Sequence, residues 1–339
     1  MKKLFVLSCV ALATLASCSK SEDIEAPQAQ KEIAFSVATD KSRAPIENAT
    51  FPETLSMYVS AYNSVSGKYF KGVEFAKSGD VWKGKQYWPI NGVTSFLAYA
   101  VNPFTDDAKA VVGTATWGQD KYADKVVFNI ANGFYNPETT TVGEQTVSVM
   151  TPYVDLLYAS GEQAKEKDYT KVPMTFKHTG AWVVFNVKLA ENLSNAKVTL
   201  KKFQLAQIFN KGTLTIDNTI YPGAKASWAF TPSNEQSNPN PADYDVQSFT
   251  AKDLSTTDYT FGAIIPEQNQ TAIKFEYTLT STNQAFDAQT ATYTYPLSNF
   301  GKWEMGKKYV YNITINFKEI EIEPEVEKWV DTTDTPIGI

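Results

Sequence analysis

Apolar and polar residues alternate along most of the chain, with a period of two rather than 3.6. Alternation of that kind puts successive side chains on opposite faces of an extended backbone, so it predicts half-buried β-strands. The runs are Leu55–Ala61, Val93–Ala100, Val126–Ile130, Val147–Val149, Leu156–Ala159, Val172–Phe176, Trp182–Leu189, Val198–Leu205, Thr213–Ile216, Tyr259–Ile265, Ile273–Leu279, Thr290–Tyr295 and Tyr309–Phe317. Thr, Tyr, Val and Phe dominate them, as a pleated surface favours. Turn formers separate them: Ser66-Gly67, Ser78-Gly79-Asp80, Asn91-Gly92, Asn132-Gly133, Lys211-Gly212 and Pro222-Gly223. Helical periodicity is nearly absent. The pattern predicts an all-β fold of two tandem β-sandwiches, over residues 44–165 and 166–319, with the break in the polar segment Gly161–Lys171. Asp217–Asn218 and Thr231–Asp243 are expected to be surface loops.

The N-terminus reads as an address. Lys2 and Lys3 precede the apolar run Leu4–Ala16, which is too short for a bilayer span of roughly 20 residues. It has the proportions of a secretory signal. The run ends Leu15-Ala16-Ser17-Cys18, the lipobox pattern, so residues 1–17 are expected to be a lipoprotein signal peptide and Cys18 the acylated, palmitate-bearing residue. Cys9 leaves with the signal. Residues 18–43 follow as a lipidated tether and removable strand. Ser19–Lys31 is polar and reads as a solvated spacer. In Ile33–Ala38 the residues Ile33, Phe35 and Val37 share one face. The polar stretch Thr39–Pro45 comes next and contains the chain's only arginine, Arg43. An Arg-directed protease cutting between Arg43 and Ala44 would release residues 44–339 from the membrane.

Residues 320–339 carry a matching pattern. Ile320, Ile322, Pro324 and Val326 share one face, while Glu319, Glu321, Glu323, Glu325 and Glu327 line the other; Trp329 and Val330 follow out of step. Pro324 confines such a strand to a sheet edge or to late insertion. The segment suits the groove that the Ile33–Val37 strand would vacate, by β-strand addition. Four or five apolar side chains at ~1.5–3 kcal/mol each, with backbone bonds at ~1 kcal/mol, give about 10–15 kcal/mol before ordering costs. The tail is expected to be unfolded until inserted. Head-to-tail donation between identical subunits is a heterologous contact and builds open filaments. The plain alternative is that both strands complete their own sheets.

Composition removes several function classes. The chain has 339 residues, 43% hydrophobic and 20% charged, with net charge −6. That balance gives no pull toward nucleic acid. One His and two Cys leave no His/Cys zinc site, and no metal is expected. The stretch Gly79–Gln86 approaches the phosphate-loop pattern, but Gln86 replaces the hydroxyl that would hold magnesium, so a turn between strands is expected. His178, at a strand end, reads as structural. Asp155 would serve as one carboxylate of a glycosidase pair, and no signal picks out a second. Neither an enzyme nor a cofactor is expected. The seven Trp are expected in strand cores; the alternative is a monomeric surface lipoprotein that binds glycans through exposed aromatics.

The chain resembles the fimbrillins, major-pilin-like subunits of type V pili. The resemblance rests on the lipobox Leu15–Cys18, the segment Ile33–Ala44, Tyr87-Trp88-Pro89 and Phe96–Ala100. It also rests on Asp155–Ala159, Val172–His178, and Trp303 with Gly306-Lys307-Lys308-Tyr309. It implies two transthyretin-like sandwiches, export to the outer membrane as a lipoprotein, and cleavage by an Arg-directed protease. It further implies polymerisation through a C-terminal donor strand and a cell-surface pilus serving adhesion. On this sequence Arg43-Ala44 is then the scissile bond, and Ile320, Ile322, Val326, Trp329 and Val330 belong to the donor. The implied partners are other pilin subunits, head to tail, the outer membrane through lipid before cleavage, and host or bacterial surface ligands. The family also holds tip and anchor subunits.

Overall fold

The computed structural model describes residues 31–39, 51–130, 136–142, 145–151, 154–164, 171–190, 195–209, 211–219, 223–230, 241–247, 251–256, 258–315 and 320–328. In chain order the elements begin with β1 (Glu32–Thr39), β2 (Met57–Asn63), β3 (Gly67–Ser78), β4 (Val81–Tyr87), β5 (Val93–Asn102) and helix α1 (Asp106–Val112). Next come β6 (Thr116–Trp117), β7 (Lys125–Ile130), β8 (Asn136–Val142), β9 (Gln145–Thr151), β10 (Asp155–Ala164), β11 (Val172–His178) and β12 (Gly180–Leu189). Then follow β13 (Ala196–Ile208), β14 (Gly212–Asp217), β15 (Lys225–Ala229), β16 (Ala242–Gln247), β17 (Lys252–Asp253) and β18 (Tyr259–Pro266). The last are β19 (Gln268–Asn269), β20 (Ala272–Ser281), β21 (Gln289–Pro296), β22 (Lys302–Trp303), β23 (Lys307–Ile315) and β24 (Ile320–Lys328). The all-β expectation holds, with α1 as the one α-helix among the described residues.

Seven strands close a barrel in the order β1-β11-β10-β5-β2-β3-β4. Its interior is aromatic. Phe35 meets Phe75 and Phe96 edge to face at 5.0 and 5.1 Å, and Phe51 packs on Trp82 and Phe176. Edge-to-face contacts of this kind put the positive rim of one ring on the negative face of the next. A second core lies between the sheets β18-β12-β23-β24 and β16-β13-β20-β21, filled by Phe185, Phe203, Phe275, Trp303 and Tyr311. This is a sandwich, as expected.

A third sheet, β15-β14-β7-β6, covers the outer face of β5 and β10. Leu157 and Ala159 therefore point into the barrel, while Leu156 and Tyr158 pack in the third core. Both faces of β5 and β10 are buried, and in keeping with this Phe96–Val101 and Leu156–Ala159, grouped with the alternating runs in the sequence reading, are nearly continuously apolar.

Of the polar segment Gly161–Lys171, Gly161–Ala164 belong to β10, which pairs with β11 in the barrel, and 165–170 lie outside the described residues; the β14–β15 hairpin crosses back to pair with β7. Two features depart from the sequence reading, helix α1 and the burial of Asn218. Helix α1 was invisible to periodicity because it has only seven residues. Its caps were legible: Thr105 accepts the Ala108 N–H, and Gly113, at φ +73°, donates to the Lys109 carbonyl. Asn218 is buried rather than a surface residue. Its amide donates to the Ala123 carbonyl at 3.1 Å and its backbone N–H to Asp124, pinning the β6–β7 connection.

Candidate functional site

The feature that sets this barrel apart is how it closes. β1 runs parallel to β11, from Phe35 opposite Val172 to Thr39 opposite Phe176. On its other side it runs antiparallel to β4, with Glu32 opposite Tyr87, Ala34 opposite Lys83 and Phe35 opposite Trp82. Without β1, β4 and β11 would be two unpaired edges. Ile33 and Phe35 are fully buried, and Val37 packs against the same core. Outside the barrel, Glu32 accepts the Lys85 N–H at 3.0 Å and forms an ion pair with Lys83 at 3.4 Å, while the Trp88 N–H donates to the Lys31 carbonyl. The strand thus has one apolar face turned inward, a polar fringe, and a ladder on each side. Ile33, Phe35 and Val37 are brought together as their alternation required. Cys18, Arg43 and Ala44 lie outside the described residues.

Residues Ile320–Lys328 of the C-terminal segment form a strand rather than an unfolded tail. β24 pairs antiparallel with β23, from Ile320 opposite Ile315 to Lys328 opposite Lys307, with Pro324 opposite Tyr311. Among the described residues it is the edge of its sheet and has β23 as its one neighbour. The sequence pattern suits both the groove in the barrel and the plain alternative, in which the strand completes its own sheet; in this structure it lies on its own β23. β23 itself presents an open ladder that the tail satisfies at no cost in chain closure over a long span. Ile320, Ile322 and Val326 lie within β24; Trp329 and Val330 lie outside the described residues.

The remaining candidate residues resolve as follows. Gly79–Gln86 forms the β3–β4 turn and β4 itself, with Gly79 at φ +62°. His178 is buried, and its Nδ1 lies 2.8 Å from Asp155 Oδ2. Both residues had been weighed separately; their pairing was hidden because strand register is not written in either local sequence. Trp82, Trp88, Trp117 and Trp303 are core residues. Among the described residues the exposed aromatics are Tyr87, Phe286 and Tyr293. A shallow cleft of about 300 Å³ lies on the outer face of β10 and β11, lined by Tyr158, Thr175 and Lys177 among others.

No curated protein matches the chain. Among solved structures, a candidate cell adhesion protein from Bacteroides uniformis ATCC 8492 is similar at 15% identity, over 88% of this chain and 98% of that one, with a TM-score of 0.49. A fimbrial protein from Bacteroides vulgatus ATCC 8482 is similar at 17% identity, over 87% and 99%, with a TM-score of 0.46. A C-terminally truncated tip fimbrial protein from Porphyromonas gingivalis is similar at 11% identity, over 88% and 100%, with a TM-score of 0.39. A model of the fimbrillin-like family matches residues 42–329, so its reach runs from just after β1 through the whole of β24. A match over that much of the chain shows that the protein belongs to the fimbrillin-like family.

Proposed function

We propose that the protein is a structural subunit of a cell-surface fimbria that assembles by exchanging β1 for the β24 segment of a neighbouring copy. The observation that carries this reading is the position of β1, a terminal strand with a ladder on both sides that closes an aromatic barrel. β24 has a ladder on one side alone. Moving it from the edge of β23 into a slot between β4 and β11 adds a second ladder and a buried apolar face. Each backbone bond is worth ~1 kcal/mol net and each buried aliphatic side chain ~1.5–3 kcal/mol, so the exchange runs downhill once the slot is empty. While β1 is in place the slot is filled, and β24 is best satisfied on its own β23. Cleavage between Arg43 and Ala44 separates the strand from the body and lets it leave.

Before cleavage the chain is held at the outer membrane through acylated Cys18; afterwards it is a building block of a filament that serves adhesion. The chain acts in this scheme by assembly rather than catalysis. The test is to treat purified protein with an Arg-specific protease and follow SDS-resistant ladders at room temperature. Ladders are expected with the intact sequence and are expected to vanish for Arg43→Ala and on deletion of residues 320–339. A trimmed protein that stays monomeric at high concentration contradicts the proposal.

A further inference from the structure

On the outer side of the β2–β3 hairpin three lysines stand around two tyrosine rings. Lys68 and Lys71 lie 5.7 and 5.5 Å from the centre of the Tyr122 ring, and Lys121 lies 5.3 Å from the centre of the Tyr62 ring. Tyr62 and Lys68 are register partners across β2 and β3, and Lys121 adjoins Tyr122 in sequence, so the five side chains form one patch. Other lysines on this protein, such as Lys77, Lys83, Lys197 and Lys274, form ion pairs with carboxylates. Among the described residues, Lys68, Lys71 and Lys121 form none. Lys121 acts electrostatically on the carboxylate of Asp124. Burial raises its pKa above the ordinary carboxylate value, Lys121 draws it down and Asp217 raises it, but it makes no ion pair with Lys121.

The patch is built on a fixed frame. The Gly118 N–H donates to the Lys125 carbonyl, the Asp124 N–H donates to the Lys121 carbonyl, and the Asn218 amide holds the Ala123 carbonyl. Trp117 lies against Gly72, where a Cβ would stand 2.9 Å from the indole nitrogen, so Gly72 lets the β6–β7 connection sit directly on β3. Three ammonium groups are therefore gathered around two tyrosine rings, where like charges repel; Asp124 acts on Lys121 alone, and none of the three makes an ion pair among the described residues. Tyrosine rings steer cations in this way through their negative faces. An anion carrying several spaced negative groups would relieve that repulsion.

We infer that Lys68, Lys71 and Lys121, set around Tyr62 and Tyr122, form a binding site for a sulfated or carboxylated glycan. Lysine is a compact, freely rotating point charge and suits scattered sulfates and carboxylates; the planar fork that reads phosphate two-pronged belongs to arginine, which the patch lacks. Tyrosine supplies the amphipathic surface on which the C–H face of a sugar ring rests. The site belongs to the barrel of a single subunit and does not depend on polymerisation.

The experiment uses the full untrimmed chain, which separates this inference from the assembly reading. Binding is measured at physiological salt to heparin, to desulfated heparin, to double-stranded DNA and to phosphatidylglycerol vesicles. The expected result is retention on heparin with clearly weaker binding to the other three. The variant Lys68→Gln/Lys71→Gln/Lys121→Gln is expected to bind heparin about tenfold or more weakly, since each charge-assisted contact contributes on the order of a fewfold or more. A matched control, Lys171→Gln/Lys188→Gln/Lys201→Gln, changes net charge equally and is expected to bind within about twofold of wild type, since these exposed residues lie elsewhere. Tyr122→Ala keeps every charge but frees Lys68 and Lys71, and is expected to weaken binding, while Tyr122→Phe is expected to retain it. Unchanged thermal melting of each variant shows that it has folded. Failure of the wild type to bind heparin, equal losses in the triple variant and its control, or equal binding to DNA or vesicles would overturn the inference.

Discussion

The imidazole of His178 and the carboxylate of Asp155 meet at 2.8 Å with both side chains buried, at the junction where the chain leaves the barrel for β12. β10 begins at Asp155 and β11 ends at His178, so the pair joins the start of one barrel strand to the end of its neighbour. Next to it the Thr179 hydroxyl and N–H both donate to the Leu156 carbonyl. A buried polar pair of this kind is costly to halve, because the partner left behind keeps its desolvation penalty. His178→Phe or Asp155→Leu alone is expected to cost about 3–5 kcal/mol, and the double replacement clearly less than the sum. A double-mutant cycle by urea denaturation checks this.

Phe35 occupies the centre of the barrel between Phe75 and Phe96. Phe35→Ala is expected to destabilise the uncleaved protein by about 3–5 kcal/mol. Ala38, an exposed residue of the same strand, tolerates Ser within about 0.5 kcal/mol. Comparing denaturation midpoints of the two variants separates the inward face of β1 from the strand as a whole. The Phe35→Ala protein is also expected to lose β1 more readily to limited proteolysis.

Much of this architecture could be read from local pattern, because alternation reports which face of a strand is covered. Ile33, Phe35 and Val37 could be grouped on one face before any pairing was known. So could the turn at Gly79, where the near match to a phosphate loop gives way to a hairpin. Partners could not be read that way. That β1 lies between β4 and β11, that β11 belongs to the barrel, and that Asp155 reaches His178 all depend on register between segments far apart in sequence. The Lys68–Tyr122 patch escaped for the same reason: its residues are ordinary surface residues until β3 and the β6–β7 connection bring them together. The docking of β24 on β23 stayed one of two alternatives because its alternation fits either sheet edge, and nothing in the pattern says which one it joins first.

Alkaline conditions probe two cores at once. Burial pushes the Tyr99 phenol well above its ordinary pKa, with Tyr58 adding to the shift. Burial does the same for Tyr311, whose hydroxyl donates to Gln270 at 2.6 Å and accepts from the Trp303 indole at 2.8 Å. In the unfolded chain these phenols ionise near pH ~10. The folded protein therefore keeps protons that the unfolded chain has lost. This contribution to stability is complete below about pH 10 and fades as pH rises toward the folded-state values. Unfolding free energy is expected to drop steeply above about pH 10, and Tyr99→Phe is expected to flatten the slope. Tyr311→Phe is expected to cost about 1–3 kcal/mol at neutral pH as well, because it leaves Gln270 and Trp303 without their partner.

The exchange of one strand for another is tested most directly by asking whose body the tail touches. Equal amounts of ordinary and ¹⁵N-labelled protein, trimmed between Arg43 and Ala44, are mixed, cross-linked and digested, and the peptides are weighed by mass spectrometry. The account predicts mixed-isotope pairs that join residues 320–328 of one copy to β4 or β11 of another. It also predicts loss of the pairs that join the tail to β23 of its own chain. If the trimmed protein yields single-isotope pairs alone, with the tail still on its own β23, the exchange does not occur and the central claim is wrong.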